Sequence, residues 1–142
     1  MNPNHSIVKI DTFIADTDYS GVIYHANYLR YCDYARTQFL KAQGIALERL
    51  AADGQHFVVV DLTIDFVKPA LLCSQLAITT ELTRLGYASM VFTQVVRAWD
   101  NLDYRYAEAV VKLALVNNTF KPQRLPADLY HQLTLFDASV HR

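Results

Sequence analysis

The densest chemical signal in the sequence lies between residues 16 and 36. It runs Asp16-Thr17-Asp18-Tyr19-Ser20-Gly21-Val22-Ile23-Tyr24-His25-Ala26-Asn27-Tyr28, with Asp33 and Arg36 further on. Asp18 stands in a turn-rich break, and Gly21 lets the chain reverse sharply there. Residues 24–26 read as the first turn of a helix, where backbone N–H groups have no partner inside the helix. Together with the positive end of the helix dipole they form an anion site. A carboxylate facing such a site can activate water or attack directly, while the N–H groups hold a developing oxyanion. That combination suits acyl transfer.

Each residue also has a plainer reading. Asp16-x-Asp18-x-Ser20-Gly21 matches the first half of a calcium loop, but the twelfth position, which needs a bidentate Glu, is Asn27. Asp18 alone could be a turn residue or helix cap. Asp33 can simply pair with Arg36 three residues on, worth a few tenths of a kcal/mol. The stripe Tyr24, Tyr28, Tyr31 fits a helix core, with at most one of the three lining a pocket. His56, His131 and His141 have no metal-ligand spacing, so no metal is expected. There is no GxSxG elbow to support a serine nucleophile.

The elements that must position these residues follow from periodicity. A strand is expected over 7–15, with Val8, Ile10 and Ile14 on one face. A helix is expected over 26–43, where Tyr28, Tyr31, Cys32, Ala35 and Phe39 recur at three- and four-residue steps and Gly44 sits at the C-terminal cap. A short helix follows over 47–52. From residue 57 the period changes to two, and Val60, Leu62, Ile64 and Phe66 share a face. Further strands are expected over 75–85, 87–99 and 105–116, with Asp100-Asn101-Leu102-Asp103 as a hairpin turn. A last short helix is expected over 127–135. Consecutive strands with short turns pair antiparallel. One helix against one curled antiparallel sheet of five to six strands is an α+β architecture. Sheet edges left bare want a partner, so a homo-oligomer is expected.

Composition narrows the function classes. The 142 residues make one domain, 1–142. Thirteen Lys and Arg against fourteen Asp and Glu give a net charge of −1, which excludes a nucleic-acid binder or membrane-surface protein driven by bulk positive charge. No apolar run approaches the roughly 20 residues of a membrane span. The N-terminal residues show no basic stretch followed by an apolar one, so cytoplasm is the expected location. Cys32 and Cys73 form no CxxC pair and are expected as buried free thiols.

The string from Asp16 to Tyr28, with the acidic Asp33 and Ala35-Arg36, resembles the hotdog-fold acyl-CoA thioesterases. It is most similar to the YbgC-like branch of the 4-hydroxybenzoyl-CoA thioesterase family. Phe57-Val58-Val59, Val67-Lys68-Pro69-Ala70, Val91-Phe92-Thr93-Gln94 and Lys121-Pro122-Gln123-Arg124-Leu125-Pro126 also look like that branch. The resemblance implies hydrolysis of an acyl-CoA to free acid and CoA, with no cofactor beyond the CoA thioester as substrate. It implies Asp18 as general base or nucleophile and the His25 N–H as oxyanion donor, with the His25 ring near the thioester. It points Asp33, standing where many relatives have Glu, toward the acyl pocket, for which Tyr24 and Tyr28 are further candidates. Lys68, Arg84, Lys121 and Arg124 are the cations available for CoA phosphates. It further implies a dimer or dimer of dimers (a homotetramer), with acyl carrier protein as another possible partner. Two alternatives stay open: a carrier-protein or envelope-complex partner with little turnover, and a hotdog hydroxyacyl-thioester dehydratase.

Overall fold

A computed structural model describes residues 5–137. The first strand, β1 (His5–Asp11), is shorter than its apolar pattern suggests. Thr12 donates both its N–H and its hydroxyl to the Ser74 carbonyl. Phe13 N–H donates to the Asp16 carboxylate at 2.7 Å. These bonds fold 14–16 into a 3-10 turn and leave Ile14 on the surface, not on the strand face expected for it. The loop 17–26 then leads into α1 (Asn27–Ala42).

Helix α1 buries the predicted stripe of Tyr28, Tyr31, Cys32, Ala35 and Phe39, one residue inside the expected limits at each end. Gly44, at φ +77°, takes the left-handed conformation that ends the helix, and Ile45 N–H returns to the Leu40 carbonyl. After α2 (Leu47–Ala52) come β2 (His56–Phe66), β3 (Gln75–Leu85), β4 (Ser89–Ala98), β5 (Asn101–Val116) and α3 (Ala127–Thr134). All pairings are antiparallel, in the order β1-β3-β4-β5-β2. Five strands are therefore present among the described residues, within the expected five to six, and β1 and β2 are the edges.

Helix α1 lies across β1, β3 and β4, and α2 lies against β2. The sheet presents Leu76, Ile78 and Leu82 from β3, Met90, Phe92 and Val96 from β4, and Ala107, Ala109, Val111, Leu113 and Leu115 from β5 to this core. Two polar residues also face inward, Thr80 and Gln94. Gln94 donates to the Cys32 carbonyl at 2.9 Å and to the Thr80 hydroxyl at 3.0 Å, and accepts from the buried Arg36 guanidinium at 2.9 Å. This network fixes the helix on the sheet.

Two strand expectations are corrected. The ladder between β2 and β5 slips between Val59 and Asp61, so Val60 is bulged. Val59, not Val60, joins Leu62, Ile64 and Phe66 opposite the inward residues of β5. Asn101 already pairs with Ala98, so the hairpin is the two-residue turn Trp99-Asp100, and 101–103 belong to β5. Both cysteines are free as expected, but only Cys32 is buried. Cys73 is exposed, in a turn at φ +65°.

Candidate active site

The loop between the 3-10 turn and α1 is held from several sides. The Asp16 carbonyl accepts the Tyr24 N–H at 2.9 Å and the Asn27 side-chain amide at 2.8 Å. Ile23 N–H donates to the Ala70 carbonyl at 2.8 Å. The buried Asp16 carboxylate accepts from Phe13 N–H and, at 2.5 Å, from the Arg30 guanidinium. Burial opposes Asp16 ionisation, but the Phe13 N–H, the Tyr31 hydroxyl and Arg30 outweigh it and hold the carboxyl below the usual range. The first aspartate of the motif is thus the anchor of the loop.

Asp18 is its presented group. Asp18 N–H donates to the Val22 carbonyl, and Gly21 N–H returns to the Asp18 carbonyl at 3.2 Å. Gly21 sits at φ +82°, a conformation that side-chain-bearing residues rarely adopt. One carboxylate oxygen of Asp18, Oδ1, accepts the Ser20 N–H at 2.8 Å and the Ser20 hydroxyl at 2.5 Å. Ser20, first through its hydroxyl and then its N–H, lowers the Asp18 carboxyl below its ordinary value, with the charge of His25 adding in the same direction.

Asp18 and His25 line one cavity of about 290 Å³, together with Val22, Ile23, Tyr28 and the segment Phe66 to Pro69. Phe66 closes one wall. Its ring centroid lies 5.9 Å from His25 and 5.8 Å from Tyr28. The Tyr28 hydroxyl accepts the Ala70 N–H at 3.2 Å, and burial raises its ionisation above the ordinary range. At the helix start, Tyr24 N–H is spent on the Asp16 carbonyl. The N–H groups of His25 and Ala26 have no acceptor among the described residues. The first helical turn begins after them, so they belong to the turn that feeds α1 and not to the helix itself.

The predicted residues divide accordingly. Asp18, His25, Tyr28 and Lys68 meet at this cavity. Tyr24 packs against the His25 ring, centroids 4.6 Å apart and planes tilted by 55°, but does not line the cavity. Asp33 lies elsewhere within the chain: it pairs with Arg36 at 3.2 Å and faces two other clefts beside α1. Lys68 holds its ammonium 4.4 Å over the Tyr104 ring. Arg84, Lys121 and Arg124 gather near the far end of the sheet, where Arg124 lies over Tyr87 and Pro122 bridges to Val116. That end is about 33 Å from the Phe66 end along the eleven residues of β2. Ser20, Phe66 and Ala70 complete the site without having been singled out for it. Only Ser20, within the motif itself, offered a local signal.

The thioesterase superfamily matches residues 20–103, more than half of the chain, and the chain belongs to that family. Its five antiparallel strands and long helix are the hotdog fold of such enzymes. Among relatives, it is 33% identical to the acyl-CoA thioesterase YbgC of Haemophilus influenzae over 138 residues, which cover 94% of this chain and 99% of that protein. It is also 33% identical to the acyl-CoA thioester hydrolase YbgC of Escherichia coli, over 84% of this chain and 89% of that one. A crystal structure of a probable thioesterase from Bartonella henselae superposes with a TM-score of 0.80 at 34% identity, covering 86% of this chain and 99% of the other.

Proposed function

We propose that this chain hydrolyses acyl-CoA thioesters, with Asp18 as the general base or nucleophile and the His25 N–H as the oxyanion donor. The observation that carries the reading is one cavity lined both by the Asp18 carboxylate and by His25, whose N–H has no acceptor among the described residues. As general base, Asp18 takes a proton from water, whose oxygen adds to the thioester carbonyl. The His25 N–H stabilises the charge that forms on the carbonyl oxygen. The carbon–sulfur bond then breaks and the proton held by Asp18 passes to the departing sulfur, giving free acid, the CoA thiol and the Asp18 carboxylate. As nucleophile, Asp18 attacks the carbonyl itself and expels the CoA thiolate as the carbon–sulfur bond breaks, and water cleaves the resulting anhydride to the free acid and the Asp18 carboxylate. Oxygen-18 transfer into Asp18 under single turnover distinguishes the two.

Strand β2 supports a homodimer. It is an eleven-residue edge strand carrying half-exposed Val59, Val60 and Phe66. A twofold axis beside it pairs β2 antiparallel with its copy. That pairing would complete the wall beside Phe66. It would also bring the Lys121 end of one copy toward the Asp18 end of the other, where CoA phosphates need cations. A dimer of dimers extends the same scheme. Two free thiols fit a reducing compartment such as the cytoplasm.

The test is one assay that follows thiol release and enoyl absorbance across straight-chain, branched and aromatic acyl-CoAs. Thiol release on at least one substrate supports hydrolysis. Enoyl product without thiol would make the protein a dehydratase, and no turnover with stable carrier-protein binding would make it a carrier partner.

A further inference from the structure

The turn that presents Asp18 contains one bond that the turn itself does not need. Its reversal is closed by backbone alone: Gly21 N–H to the Asp18 carbonyl, and Asp18 N–H to the Val22 carbonyl. Gly21 supplies the left-handed conformation that this reversal demands. The Ser20 hydroxyl takes no part in that closure. It is aimed at the Asp18 carboxylate, 2.5 Å from Oδ1, an oxygen already engaged by the Ser20 N–H. The other carboxylate oxygen, Oδ2, has no hydrogen-bond partner among the described residues. Ser20 is exposed, so its hydroxyl fills no gap in the core.

We propose that Ser20 is a positioning residue for the hydrolysis: its hydroxyl and N–H fix one oxygen of Asp18, and so aim the other at the reacting water or carbonyl. The inference rests on the thioesterase reading above and refines it. Two donors on one oxygen remove the free rotation that an exposed aspartate otherwise has, and orientation of this kind acts on kcat more than on binding. They also stabilise the ionised form, which keeps Asp18 competent at lower pH. The other groups that face Asp18 are His25 from the helix entrance, Tyr28 from α1 and Lys68 beyond β2. None of the three donates a hydrogen bond to its carboxylate. Asp16, two residues earlier, turns inward to Arg30 and does not share the site.

The experiment compares the full-length wild type with Ser20→Ala, Ser20→Thr and Asp18→Asn. It measures thiol release against pH, using an acyl-CoA that the wild type turns over. Ser20→Ala is expected to lower plateau kcat about fivefold, with KM within about twofold. Its acid limb moves to higher pH. At the pH where the wild type keeps half of its plateau, Ser20→Ala keeps roughly a quarter. Ser20→Thr, which retains the hydroxyl, restores both. A wild-type acid limb and kcat in Ser20→Ala would overturn the proposal, as would a loss confined to KM or one that Thr fails to rescue. Asp18→Asn separates the two levels. If it is inactive while Ser20→Ala is normal, only the role of Ser20 falls. If Asp18→Asn is fully active, the reading of the whole site falls with it.

Discussion

Asp16 and Asp18 stand two residues apart in one loop and meet opposite surroundings. Asp16 is buried and satisfied by Phe13 N–H and Arg30; Asp18 is presented to a cavity with one oxygen free. The first is therefore a stability residue and the second a chemical one. The Asp16 carboxyl titrates below its ordinary range in the folded protein. Its stabilisation is complete above the unfolded value of about 4 and is lost as pH falls through the lower folded value. Asp16→Asn should cost about 1–2 kcal/mol at neutral pH, from a weakened charge-assisted pair. Urea midpoints of the two proteins should differ at pH 7 and converge below about pH 4. A difference that stays constant over that range would contradict the assignment. At this scale the sequence was informative because the motif is local: Asp18, Gly21, His25 and Tyr28 fall within eleven residues. Phe66 and Lys68 arrive from β2 and the segment after it, and no spacing in the chain announces that they line the same cavity.

Helix α1 reaches the sheet through a polar contact as well as an apolar one. Arg36, which the sequence pairs with Asp33, gives Asp33 one nitrogen and sends another into the core, where Gln94 receives it. Burial pulls the Arg36 guanidinium down from its ordinary value, with Asp33 opposing that shift. Gln94→Leu removes the buried acceptor of one Arg36 nitrogen and the side-chain donor to the Cys32 carbonyl, leaving Arg36 only Asp33. A loss of about 2–4 kcal/mol is expected by urea denaturation. Asp33→Ala, which removes the solvent-facing partner of Arg36 and leaves its bond to Gln94 in place, should cost less, about 1 kcal/mol or below. Equal losses in the two variants would show that the buried bond does not carry the contact. Element types were largely legible, since both the helical stripe and the period-two runs survive in the fold. Element ends were less so. The 3-10 turn at 14–16 depends on the Asp16 side chain, and the bulge at Val60 depends on how β2 seats against β5. Neither leaves a mark in hydrophobic periodicity.

For the molecule as a whole, the near-neutral charge means that an anionic CoA must be held by a few local cations and the N–H groups at the entrance to α1. Of four predicted cations, only Lys68 lies by Asp18 within one chain. The separation of the other three is the argument for a second copy across β2. Val60→Lys, which places a charge on that edge, should prevent the proposed β2-paired dimer, read as monomers by light scattering, and lower thiol release more than about tenfold. A monomer with full activity would show that the partner does not complete the site. No helix among the described residues is long and apolar enough to cross a membrane. The proposed chemistry rests on one carboxylate, and Asp18→Asn removes that base while keeping its shape. Thiol release from an acyl-CoA should fall at least about a hundredfold in that variant, with the thermal midpoint unchanged. Turnover at the wild-type rate would contradict the account.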